Sequence, residues 1–177
     1  MRKFFRRLLL IFIFIFFIIC TNYLKSLPLY QKSVNFKSCI DGDTAVFIIN
    51  DENVTVRFLA IDAPENNTQI GKEVSDYVCK ALNNASSITL EYEEGTTLDK
   101  YNRVLAWVYV DNKLIQKDLI EKGYAEIKYI YDDYKYVDEL EKVQQQAKKE
   151  KTGYLEVITS QEHTQFLLLW FDHHRLK

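Results

Sequence analysis

The chain has 177 residues, 47% apolar and 27% charged, with 23 Lys and Arg against 25 Asp and Glu. This is the composition of one ordinary globular domain, and it excludes a disordered chain, a collagen-like repeat and a disulfide-dense miniprotein. The three histidines, His163, His173 and His174, all fall in the last 15 residues, which argues against a Ser-His triad or a His/Cys zinc site and leaves chemistry to carboxylates, guanidinium groups and a hard cation.

Arg2, Lys3, Arg6 and Arg7 precede an apolar run of 13 residues from Leu8 to Cys20. A bilayer needs about 20 apolar residues, so the run is short for a span and suits the apolar region of a signal peptide. No small-residue cleavage site follows, and residues 1–25 read either as a signal peptide or as an N-terminal membrane anchor that attaches the chain through residues 4–24. The rest of the chain is then secreted, or anchored on the extracytoplasmic side. Without those four basic residues, 19 Lys and Arg face 25 Asp and Glu, a net charge of −6. Such a surface does not gather a polyanion by its overall field, so any nucleic-acid site needs local basic groups or a bridging cation. Cys39 and Cys79 remain. In an exported protein two cysteines more often pair than stay free, although two separate buried thiols are the alternative.

From about Val34 the pattern is short alternating runs and then helices. Ala45–Asn50 and Val54–Ile61 read as strands around a turn at Asn50-Asp51-Glu52-Asn53. Lys72–Asn84 reads as a helix with Val74, Val78, Ala81 and Leu82 on one side. Ser87–Glu93 and Arg103–Val110 are strands. Leu114–Lys122 is a helix stopped by Gly123, and Tyr136–Lys151 is a longer one stopped by Gly153. The expected fold is α+β, a five-stranded OB-type Greek-key β-barrel with three α-helices. The domain spans 34–156, and residues 157–177 form a C-terminal tail whose run Phe166–Phe171 reads as a packing segment or as a membrane or partner contact.

Three stretches carry chemistry. Asp41-Gly42-Asp43-Thr44 is a tight acidic turn leading into a strand. Arg57-Phe58-Leu59-Ala60-Ile61-Asp62-Ala63-Pro64-Glu65 ends a strand in two carboxylates, with Pro64 fixing where Asp62, the Ala63 carbonyl and Glu65 point. Carboxylate and carbonyl oxygens are the ligands Ca²⁺ prefers. Asp99-Lys100-Tyr101-Asn102-Arg103 opens the last strand. Arg57 and Arg103, each at or near a strand end, offer planar forks matched to phosphate oxygens. Carboxylates holding a cation beside arginines describe phosphoryl transfer rather than sugar or peptide chemistry.

These three stretches, followed by Gly123-Tyr124-Ala125, Tyr129-Ile130-Tyr131 and Ala147-Lys148-Lys149-Glu150-Lys151, resemble the staphylococcal nuclease (thermonuclease) family in order and spacing, over roughly Cys39 to Leu155. The resemblance implies a Ca²⁺-dependent phosphodiesterase that cuts DNA and RNA, single-stranded or frayed duplex by preference, and leaves 3′-phosphates; a monomer is expected. It makes Asp43, Asp62 and the Ala63 carbonyl the metal ligands, with Asp41 as a supporting acid. Glu65 then positions or deprotonates the attacking water, Arg57 and Arg103 hold the phosphate, and Lys100, Tyr129 and Tyr131 line the nucleotide pocket. The chain departs from the family at Ala63, where the staphylococcal enzyme has threonine, and at Asn102, where glycine is usual. The loop after Glu65 is short, and the usual tryptophan near Tyr154-Leu155 is missing. The competing readings are a catalytically inactive OB-fold module that binds nucleic acid, and a surface structural protein.

Overall fold

In the computed structural model, the described residues are 11–19, 31–95 and 98–150. The basic N-terminal residues, most of the expected signal peptide, the end of the expected last helix with Gly153 and Tyr154, and the whole tail with its three histidines lie outside them. Residues 11–19 form a helix, α1, with all of its side chains exposed. No helix among the described residues is long and apolar enough to cross a membrane.

The body is α+β. Its strands are β1 (Gln31–Ser33), β2 (Asn35–Cys39), β3 (Thr44–Ile49), β4 (Glu52–Phe58), β5 (Ile61–Asp62), β6 (Ile88–Glu91), β7 (Val104–Val110), β8 (Lys113–Leu114) and β9 (Glu126–Ile127). Its helices are α2 (Gln69–Asn83), α3 (Ile115–Glu121) and α4 (Val137–Lys149). The main sheet runs β1-β6-β7-β4-β3-β2, with β4 and β7 parallel and the other neighbours antiparallel. The two ends of that order, β1 and β2, are one stretch of chain interrupted only at Val34, whose N–H donates to the Ile88 carbonyl at 3.0 Å. A single bent strand therefore pairs with β6 on one half and β3 on the other, and so draws the sheet round into a barrel. Counted this way the barrel has five strands, as an OB-type fold requires.

Local chemistry explains the elements. Asn50 and Asp51 both have positive φ (53° and 65°), the two-residue hairpin geometry that asparagine and aspartate tolerate, so β3 and β4 meet in a tighter turn than expected. Phe47, Val56, Phe58, Leu90 and Trp107 fill the barrel, and α2, α3 and α4 cover it through Val74, Val78, Leu82, Leu119, Ile120 and Leu140. Thr68 caps α2 by accepting the Gly71 N–H at 2.9 Å. The Cys39 and Cys79 sulfurs are bonded, with Cα atoms 5.7 Å apart, which fastens the end of β2 to the middle of α2.

The expected strand Val54–Ile61 ends early. Ala60 takes a left-handed φ of 58°, which breaks the run after Phe58 and starts β5 in a new direction, paired with β9. That turn aims the following carboxylate back toward the barrel end. One opening there is shaped by the β2–β3 loop, the β4–β5 turn, the 98–103 turn and the segment after β9.

Candidate active site

The acidic loop is held by its own backbone. The N–H groups of Ile40 and Asp41 both donate to the Thr44 carbonyl (3.0 and 3.2 Å), and the Asp43 N–H donates to the Asp41 carboxylate at 3.0 Å. Gly42 is required by packing, because a Cβ there would lie 2.6 Å from Val74 Cγ1 and 2.8 Å from Ala63 Cβ. Asp43 is thereby pressed inward to 5% exposure. Its Oδ2 accepts the Ala63 N–H at 2.8 Å, its Oδ1 accepts the Thr44 hydroxyl at 2.9 Å, and the same Oδ1 pairs with Arg57 Nη1. Burial outweighs the attraction of Arg57 and pushes the Asp43 carboxyl up to about 7.

Arg57, at the end of β4, is 8% exposed. Besides pairing with Asp43, its guanidinium lies 3.4 Å from the Asp43 carbonyl and 3.2 Å from Asp62 Oδ1. Asp62 reaches it because of the Ala60 turn. The other Asp62 oxygen accepts from Lys128 Nζ at 2.8 Å, and that bond holds the ammonium above the usual lysine range. Ala63 and Pro64 are buried, and Glu65 stands exposed at the cavity edge. The Glu65 backbone is fixed: its carbonyl accepts from the Thr68 N–H (3.0 Å) and hydroxyl (2.9 Å) and abuts Gly71, where no Cβ would fit.

The third stretch is a turn organised by Asp99. Its carboxylate accepts the N–H groups of Tyr101 (2.8 Å) and Arg103 (2.9 Å) and the Arg103 Nε (2.7 Å). Burial works to raise the Asp99 carboxyl, but these bonds prevail and hold it below the usual carboxylate range. Asn102 takes φ 60°, a left-handed conformation that asparagine tolerates better than most residues. Lys100 Nζ and the Arg103 guanidinium lie 5.0 and 5.3 Å from the Tyr101 ring. Tyr129 and Tyr131 are 49% and 77% exposed, so neither packs in the barrel core. Arg57 lies 5.8 Å from the centre of the Tyr129 ring.

One cavity of about 700 Å³ gathers these groups. Asp41, Asp43, Arg57, Asp62, Ala63 and Glu65 line it, and Lys100, Arg103, Tyr129 and Tyr131 line it as well. Four segments of the chain thus meet in one concave site. Among the described residues, no group of three or more His, Cys, Asp or Glu side chains is drawn together in a metal cage. The Arg57 guanidinium bridges Asp43 and Asp62. The donor set nevertheless suits a hard cation: it is all oxygen, and the burial penalty on the Asp43 carboxylate exceeds what Arg57 returns. The sequence reading missed Lys128, which reaches Asp62, and Tyr101 and Tyr134, which line the cavity. Tyr101 belongs to the Asp99–Arg103 stretch, whereas Lys128 carries no signal, because its placement depends on two-residue strands whose partners, Ile61 with Ile127 and Asp62 with Glu126, are distant in sequence.

Residues 55–154 match the family model described as staphylococcal nuclease homologue. The SPbeta prophage-derived endonuclease YokF of Bacillus subtilis (strain 168) is 39% identical over 124 residues, 67% of this chain and 42% of that protein. Endonuclease YncB of the same organism is 38% identical over 125 residues, 67% of this chain and 59% of its own length. A thermonuclease of Staphylococcus hyicus is 34% identical over 118 residues, 63% of this chain and 69% of that protein. The chain thus spans about half the length of the two Bacillus relatives. With the family model covering more than half its length and a thermonuclease matched over more than two thirds of its own, the chain belongs to the staphylococcal nuclease family.

Proposed function

We propose that the chain is a Ca²⁺-dependent nuclease that hydrolyses phosphodiester bonds of DNA and RNA, single-stranded or frayed, by in-line attack of water and leaves 3′-phosphate ends. The observation that carries this reading is the convergence of Asp43, Asp62, Arg57, Arg103 and Glu65 on one cavity. The endonuclease and thermonuclease names of its relatives support it. Asp43, Asp62 and the Ala63 carbonyl would hold the cation. When bound, the ion would neutralise the phosphodiester and so let a polyanion approach an acidic protein. Glu65, exposed at the cavity edge, orients the water and takes its proton. Arg57 and Arg103 grip the phosphate and offset the charge that develops on its oxygens. Lys100 steadies a neighbouring phosphate, and Tyr129 and Tyr131 present rings on which a base can stack.

The protein acts as a monomer, secreted or held at the outer face of the membrane by residues 4–24. The basic and apolar N-terminus supports that placement, as does the bond between Cys39 and Cys79, which suits an oxidising compartment. A non-catalytic nucleic-acid-binding module is the second reading, favoured by the one observation that Arg57 bridges Asp43 and Asp62.

Digestion of heat-denatured DNA by the full chain, with Ca²⁺ or with a chelator, separates the two. Rapid loss of polymer with Ca²⁺ alone is expected, with products that accept a label at the 5′ end directly and at the 3′ end only after phosphatase treatment. Arg103→Ala should keep its unfolding midpoint and lose about 10³-fold or more in rate. Equal and negligible digestion in both tubes, with the DNA still bound, would establish the binding module instead.

A further inference from the structure

We propose that Lys128 is a built-in counter-cation for Asp62, which it neutralises in the metal-free protein and releases when a divalent ion binds. The proposal rests on the metal-site reading above and adds a residue that reading does not use. Both oxygens of Asp62 already face a cation: Oδ1 lies 3.2 Å from Arg57 Nη2, and Oδ2 lies 2.8 Å from Lys128 Nζ. The lysine is placed by the fold. Asp62 and Glu126 are direct partners in the β5–β9 ribbon, and the Lys128 N–H donates to the Ala60 carbonyl at 3.0 Å. From there the side chain returns over the ribbon to Asp62, with Glu126 Oε1 at 3.4 Å.

A divalent ion that reaches Asp62 must take an oxygen from one of these two cations, and they differ in the cost of release. The Arg57 side chain is 9% exposed and also bonded to Asp43, so freeing it would leave a buried guanidinium partly unpaired. The Lys128 side chain is 46% exposed, and its ammonium can pass straight into water. Lys128 therefore yields. Its backbone stays fixed to the Ala60 carbonyl, so the released ammonium remains on the same side of the ribbon and goes on repelling an ion bound at Asp62. The site is thus weakened.

Calorimetric titration of Ca²⁺ into the full chain tests this without any appeal to turnover. Lys128→Met and Lys128→Gln should each bind Ca²⁺ about two- to ten-fold more tightly than the parent at low ionic strength, with the gain shrinking at high salt. Lys128→Arg, which keeps the charge, should match the parent. Unchanged or weaker binding in both neutral variants would overturn the proposal and make Lys128 a positioning residue for Asp62. Absence of Ca²⁺ binding in the parent and every variant would overturn the metal-site reading itself, a different and recognisable result.

Discussion

Asp43 shows how burial and one charged neighbour together set the protonation of a single side chain. Its carboxyl is pushed by burial from 3.8 to about 7, even with Arg57 beside it. A carboxyl whose folded value lies above its unfolded one holds its proton more tightly in the native state. Its contribution to stability is therefore fully present below 3.8 and is lost as pH rises through about 7. In chelator, the denaturation midpoint of the parent should fall across that window, and Asp43→Asn should flatten this part of the profile. Ca²⁺ affinity should run the opposite way, weakening as pH falls below about 7 because the ligand must be ionised. A parent profile no steeper than that of Asp43→Asn would show that Arg57 fully offsets the buried charge. The residues of this site were legible in the sequence because acids and arginines at strand ends are unusual. Their present partners were not: the guanidinium expected to meet phosphate is engaged with the very carboxylates expected to hold the metal.

At the scale of elements, the helices were readable and the first strand was not. The periodicity placed helices at Lys72–Asn84, Leu114–Lys122 and Tyr136–Lys151, and α2, α3 and α4 overlap each of them. The start of α2 lies three residues earlier than expected because Thr68 is its cap, and the Gly71 in its first turn masks the onset. The bent strand of β1 and β2 has mostly exposed, polar residues, so no alternation announces it. Nor could periodicity find the break at Ala60, since Phe58-Leu59-Ala60-Ile61 reads as unbroken apolar strand. The bond between Cys39 and Cys79 matters at this scale because the acidic loop begins one residue after β2. Closing a loop with a sequence separation of 40 stabilises a fold by roughly 4 kcal/mol in the chain-entropy account. The double variant Cys39→Ser, Cys79→Ser should therefore unfold about 4 kcal/mol more readily, as read from denaturant midpoints. Ca²⁺ affinity should fall with it, because Ile40, Asp41 and Asp43 lose the fixed end from which their loop springs. Loss of stability with unchanged Ca²⁺ binding would show that Thr44 and Gly42 hold the loop unaided.

The whole molecule carries a net charge of −2, and its described body bears no run of basic residues. A polyanion is thus not gathered by the overall field and must be held by the few cations that line the cavity: Arg57, Lys100 and Arg103. Counterion release makes this measurable. Single-stranded binding weakens with salt at a slope of about −0.7 for each phosphate neutralised, so three cations should give a log–log slope near −2. Anisotropy of a labelled oligonucleotide with Glu65→Gln in Ca²⁺, which keeps the cavity and removes the proposed base, gives that slope directly. Lys100→Ala should then lower its magnitude by about 0.7, since the substitution deletes one contact and leaves the barrel untouched. A slope of about −5 or steeper would mean that the polymer runs over a wider basic surface than this cavity. The interface would then extend beyond the convergence of the three sequence stretches, into parts of the surface that neither the motifs nor the cavity identify.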